Sequence, residues 1–192
     1  MNKIKILIVL IMGIIIIKCS SPFIYESTLQ VEKPILAKTK IIVELPEKEK
    51  LNVEGKKVVS AIIKDLSQNV FSNIVETNPE IICIVKIKKL LAFDKSNWVW
   101  VFTMSFLGIV WFGIPLGEVI GEADIELRIT SSDGDLIKFY QQTSYIEKWY
   151  NVYSEYAWSF EPKAQVAGEV LKDALEKIKR RINQDKDEII AL

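Results

Sequence analysis

Glu118, Glu122, Asp124 and Glu126 are the residues most capable of chemistry in this chain. Two carboxylates facing one cleft can serve as the acid and base of a glycoside hydrolase. Oxygen ligands of this kind also suit calcium, but the DxDxDG spacing of a loop site is missing. The surrounding pattern favours a plainer reading. Asp124, Glu126, Arg128 and Thr130 alternate with Ile125, Leu127 and Ile129. That alternation describes a strand with one wet face, where carboxylates are solvated. The chain has no histidine. Ser-His-Asp and Cys-His nucleophiles and His-ligated zinc or haem are therefore excluded. There is no P-loop, GxGxxG, CxxC or HExxH. Cys83, inside Ile81–Val85, reads as a small hydrophobe in a buried strand. No catalytic residue, metal ligand or cofactor is assigned, and the chain reads as a non-enzyme.

Aromatics crowd the stretch 145–160, as Tyr145, Trp149, Tyr150, Tyr153, Tyr156, Trp158 and Phe160. Such rings could stack on sugars or bases, or close one end of a sheet against a helix. Lys148 is the only base among them, with Glu147 and Glu155 beside it, which disfavours nucleic acid.

Two apolar stretches dominate a chain of 192 residues that is 49% hydrophobic and formally neutral. The first is N-terminal. Lys3 and Lys5 stand at the head of an otherwise apolar run over 4–17, followed by Lys18, Cys19, Ser20, Ser21 and Pro22. This resembles the signal peptide of a bacterial lipoprotein. The resemblance implies a diacylated Cys19 thiol, palmitate among its acyl chains, a signal cut before Cys19, and membrane lipid as partner. Lys18 departs from the small residue usual before the cysteine. The alternative is an uncleaved N-terminal helix. Cleavage would remove three lysines and leave a net charge of about −3, which names no partner. Ser20-Ser21 gives no clear retention signal, and the expected address is the periplasmic or outer face of a bacterial membrane, outer rather than inner.

The second apolar stretch, 97–117, carries no charge. Trp98, Trp100, Phe102, Phe106, Trp111 and Phe112 make it a candidate membrane or partner contact. Three readings stay open. It could be core strands with a buried connection. It could be a hairpin, turning near Gly108, that dips into the membrane beside the anchor. It could span the bilayer, in an inner-membrane accessory subunit with an uncleaved N-terminus. Glycines and Pro115 weaken a spanning helix, and the flanking charges invert the positive-inside rule.

The remaining elements are α+β. Residues 1–18 form the signal, 19–39 a tether, and 40–192 one domain. Lys40–Leu45 is a β-branched run ended by Pro46. Val58, Ile62, Leu66 and Val70 recur at helical spacing within 54–74, with Lys56, Lys57, Lys64 and Asp65 assigned to the outer face. Strands follow at 80–92, 121–130 and 136–144, the last two joined through Ser132-Asp133-Gly134-Asp135. A second helix opens at Pro162 and runs to Ile182, its last turns carrying Lys177, Lys179, Arg180 and Arg181 as the helix dipole prefers. The charged tail 183–192 is expected to fray, with Ile189, Ile190 and Leu192 as a candidate small docking patch. The sum is a four-stranded, mainly antiparallel sheet in the order β-α-β-β-β-α, two helices on one face, and an apolar hairpin or loop insertion.

One further likeness covers residues 80–182. Phe112-Gly113-Ile114-Pro115-Leu116-Gly117, a strand ending at Asp133-Gly134, Tyr140, and a helix with Ala164, Ala167, Ala174-Leu175 and Ile178 together look like small, largely uncharacterised bacterial envelope lipoproteins. The resemblance implies exposure in the envelope, with an envelope protein as a candidate partner, and carries over no catalytic residue.

Overall fold

The computed structural model describes residues 23, 25, 29–31, 34–51, 53–95, 117–150 and 162–190. Strand β1 is Thr39–Glu44, helix α1 is Gly55–Asn69, and strands β2, β3 and β4 are Ile81–Asp94, Gly117–Ser131 and Leu136–Tyr150. Helix α2 is Pro162–Ile190. The element order is the one expected. The sheet is β1-β2-β3-β4, and it is mixed. β1 pairs parallel with β2 across the α1 crossover, while the other two pairs are antiparallel.

One face of the sheet is dry. Cys83, Val85, Ile87, Ile125, Leu127 and Ile129 lie on it with 0–1% exposure and form one core with Val58, Ile62 and Leu66 of α1 and Val170, Leu171 and Ile178 of α2. The same cluster contains Val31 and Ile35. The described part of the expected tether thus lies against the domain. Ile35 N donates to Val70 O at 2.8 Å, and Phe23 and Tyr25 pack on the core edge.

A register shift between Ile87 and Lys89 puts an extra residue into β2. Such a bulge lets a strand change step without turning its apolar set outward. Ile87 opposite Ile125 and Leu90 opposite Ala123 therefore both stay on the dry face. Gly121 is needed on that face. A Cβ there would stand 2.7 Å from Val166 Cγ1 and 3.2 Å from the Val166 carbonyl oxygen, so α2 rests directly on β3. The β3–β4 turn uses Gly134 at φ 92, with its N–H donating to Ser131 O at 3.1 Å.

The sheet is mainly antiparallel, as expected, with one parallel pair at its edge. Two expectations are corrected. Residues 183–190 do not fray, because they continue α2: Tyr140 Oη donates to Asp185 at 3.1 Å, Lys138 pairs with Glu188, and Ile189 is buried. Asp65 and Lys179 are not surface charges. Asp65 is 3% exposed and Lys179 0%, with Lys179 Nζ 2.9 Å from Asp65 Oδ1. This pair joins α1 to α2 side by side. The carboxylate also accepts from Asn69 Nδ2 at 2.5 Å and from Tyr25 Oη at 2.7 Å.

Removing one member of a buried pair strands the other charge without water, whereas removing both leaves no buried charge. Lys179→Met is expected to destabilise the protein by about 3–5 kcal/mol, and Asp65→Leu combined with Lys179→Met by clearly less. Denaturant unfolding of the two variants against wild type measures both.

Candidate functional site

Every residue assigned a site role from the sequence lies outside the described residues. These are Cys19 for lipidation and Trp98, Trp100, Phe102, Phe106, Trp111 and Phe112 for membrane or partner contact. What the structure does place is the frame on which both regions are mounted.

The first mounting point is the N-terminal end. Tyr25 is fixed by its hydroxyl to the buried Asp65, and Phe23 lies beside it. Both line a groove with Lys56, Lys57, Ser60, Ala61 and Lys64 of α1. On the other flank of the same helix face, Leu45, Val59, Ile63 and Ser67 line an open groove of about 650 Å³, again with Lys56, Ser60 and Lys64. Ser60 thus sits on a ridge, with a lysine one turn to either side and apolar groups down both slopes. Sequence periodicity identified this as the outer face of α1. The apolar flanks come from Leu45 and from Phe23 and Tyr25, which only the fold brings there.

The second mounting point is the sheet end where β2 and β3 part. Lys95 N donates to Glu118 O at 2.9 Å. Residues 96–116 therefore depart and return at neighbouring positions of two paired strands.

The carboxylate cluster lies on the sheet face away from the helices. Lys88 and Lys89, brought to one side by the bulge, pair with Glu126 at 2.5 Å and with Glu122. Arg128 adds a contact to Glu126 at 3.5 Å and places its guanidinium 5.5 Å from the Phe139 ring centroid. Asp124 accepts from Gln141 Nε2 at 3.3 Å. The Lys88 hydrogen bond holds the Glu126 carboxyl below the usual carboxylate range. A glycosidase acid needs the opposite shift, so Glu126 is suited to an ion-pair ladder across strands. Among the described residues no three His, Cys, Asp or Glu side chains are grouped so as to hold a metal. The expected wet face is correct for Arg128, but Glu126 on the same face is only 5% exposed under its two cations.

Tyr145 and Trp149 stand on this second face at 58% and 61% exposure. Trp149 Nε1 donates to Glu147 at 3.0 Å, and Tyr145 Oη lies 3.4 Å from the same carboxylate. These two rings do not pack against a helix, whereas Tyr140, on the opposite face, does. The rings at 153, 156, 158 and 160 lie outside the described residues. Cys83 is fully buried, and burial pushes its thiol up to about 12. Such a thiol is inert near neutrality.

No protein-family model and no curated protein sequence matches the chain. Several solved structures share its arrangement loosely. The minor lipoprotein from Acinetobacter baumannii is 14% identical, covering 77% of this chain and 94% of its own, with a TM-score of 0.43. The PelC dodecamer subunit from Paraburkholderia phytofirmans is 11% identical, covering 80% and 95%, with a TM-score of 0.41. The rare lipoprotein B from Shewanella oneidensis is 5% identical, covering 79% and 93%, with a TM-score of 0.27. Lipoproteins are thus among the structures similar to this one. At these values the likeness gives no residue a role. No described helix is long and apolar enough to cross a membrane.

The Glu126 ladder has a definite pH signature. A carboxyl whose folded value lies below its ordinary 4.5 contributes stability above that value and loses it as pH falls through the depressed folded range. Glu126→Gln is expected to be less stable than wild type near neutrality. It should also lose less stability than wild type between about pH 6 and about pH 3. Urea midpoints across that range measure the difference.

Proposed function

We propose that the protein is a lipid-anchored component of a bacterial envelope, held to the membrane through Cys19 and serving as a structural or interaction module rather than an enzyme. The observation that carries this reading is the cysteine placed directly after a basic and apolar leader, four residues before the chain docks on the domain. Two acyl chains suffice for stable attachment where one is marginal.

The sheet end at Lys95 and Glu118 favours this reading over a second membrane span. A single crossing separates its ends by the hydrocarbon thickness, about 30 Å. Lys95 and Glu118, which bracket the segment, meet instead at one hydrogen bond. A segment tied in that way can present Trp98, Trp100, Phe102, Phe106, Trp111 and Phe112 to a membrane or an envelope protein from one side of the domain. Against an enzymatic role stand the missing histidine, the ion-paired carboxylates and the inert Cys83.

Wild-type cells grown with labelled palmitate should incorporate label into the protein, and globomycin should accumulate an unprocessed precursor. Cys19→Ala should take no label and leave the membrane fraction or remain as a precursor. A wild-type protein that takes no label, with Cys19→Ala fractionating identically, overturns the anchor. The denatured mature protein should show a single reactive thiol, that of Cys83.

A further inference from the structure

The exposed face of α1 differs from the other helix surface. It carries Lys56, Lys57 and Lys64 and no carboxylate, since the one acid of the helix, Asp65, is buried. Lys57 is matched at 2.8 Å by Glu54, just outside the helix. Lys56 and Lys64 form no ion pair among the described residues. On α2, by contrast, surface lysines are interleaved with acids, as in Lys172–Glu176 and Lys177–Asp173. The lysine ridge of α1 is flanked by Leu45 and Ile63, exposed at 40% and 36%, on one side and by Phe23 and Tyr25 on the other. Cations between apolar shoulders match a bilayer surface, where lysine meets headgroup phosphate and its stem and neighbours meet the acyl boundary.

Chain length brings that surface to the membrane. Phe23 is docked beside Lys56 and Lys57, and Cys19 is four residues away. Four residues span at most about 14 Å. An acylated Cys19 therefore holds the bilayer within one short reach of this ridge.

We infer that the outer face of α1, centred on Lys56, Ser60 and Lys64, lies on an anionic phospholipid surface and sets the orientation of the anchored domain. The inference rests on the anchor proposed above. It also fixes where the other surfaces go: the sheet face bearing Tyr145 and Trp149, on the side away from both helices, is turned away from the bilayer.

The test uses the full chain, purified from membranes and reconstituted into vesicles. Ser60→Cys and Thr143→Cys are each labelled with an environment-sensitive nitrobenzoxadiazole probe. Both positions are exposed, Thr143 lies on the opposite sheet face, and buried Cys83 takes no label in the folded protein. In vesicles of phosphatidylglycerol and phosphatidylethanolamine, the Ser60 probe should be quenched by a spin-labelled lipid and the Thr143 probe should not. The ratio of quenched to unquenched probe at Ser60 should fall about thirtyfold in phosphatidylcholine vesicles, the order expected for two lysines on an anionic surface. Lys56→Glu with Lys64→Glu should lower it similarly in anionic vesicles.

Quenching at Ser60 no greater than at Thr143 overturns the inference. So does quenching that ignores both lipid charge and lysine reversal. Shielding of Ser60 from aqueous iodide without lipid quenching means that another protein or a second copy covers the face, which also overturns it. The thiol count separates the two proposals. An extra reactive thiol in the denatured protein shows that Cys19 is free and sinks the acyl anchor. Lipid quenching at Ser60 in that same sample still supports the α1 face, now with the uncleaved N-terminal segment as the anchor.

Discussion

A carboxylate and an ammonium, both shut away from water, meet at the centre of this molecule. Asp65 and Lys179 lie on different helices and meet at 2.9 Å in the core. Neither charge is tolerable there alone, so each helix has one acceptable position relative to the other. The carboxylate is further satisfied by Asn69, one turn on, and by Tyr25 from the N-terminal segment. Val58, Ile62 and Leu66 share one apolar core with Leu175 and Ile178, and apolar packing alone would accept several registers at similar cost. The charge pair selects one of them, and Tyr25 ties the N-terminal end to the same point.

The sheet manages its two faces in a related way. The dry face is covered by both helices, closely enough that Gly121 has no room for a side chain. The other face keeps its polar groups in order through cross-strand pairs of opposite charge. The bulge at Lys88 and Lys89 is what reconciles the two. By adding a residue to β2, it keeps Leu90 and Ala92 in the core and leaves two adjacent lysines on the outer face, each ion-paired with a glutamate of β3. The long strands stay aligned over their whole length as a result.

Much of this was legible in the residues. The alternation around Ile125–Ile129, the Asp133-Gly134 turn and the periodic run from Val58 placed strand, hairpin and helix correctly, because each obeys a local rule. The errors came where a local rule met tertiary structure. Asp65 stands three and seven residues beyond Ile62 and Val58, within the buried stripe, yet its charge argued for the outside. Lys179, one turn beyond Leu175, read as a cation at a helix end. It is neither terminal nor exposed, because α2 continues for three further turns under contacts to Lys138 and Tyr140 that lie far away in sequence. An acid and a base, each on the apolar stripe of its own helix, were the available signal for a buried pair. The parallel pairing of β1 with β2 was implicit in a β-α-β opening. The proposed site residues themselves were legible only as types, since the Cys19 and 97–117 assignments rest on composition and position alone.

The docked N-terminal segment changes what an anchor at Cys19 would mean. A free tether over 19–39 would let the domain wander by about 25 Å, the root-mean-square reach of some twenty flexible residues. Every face of the domain would then meet the bilayer equally often. Tyr25 bound to Asp65, and Ile35 bound beside Val70, remove most of that length. What is left is short compared with the domain, so with an anchor at Cys19 the surface nearest Phe23 would meet the membrane far more often than any other. The same contact therefore serves two ends. It closes the polar network that fixes helix against helix, and it converts a leash into a mount. A domain of nearly neutral charge has no long-range field to orient it. For such a domain, a short mount beside the ridge of Lys56 and Lys64 is the most economical physical route to a defined orientation.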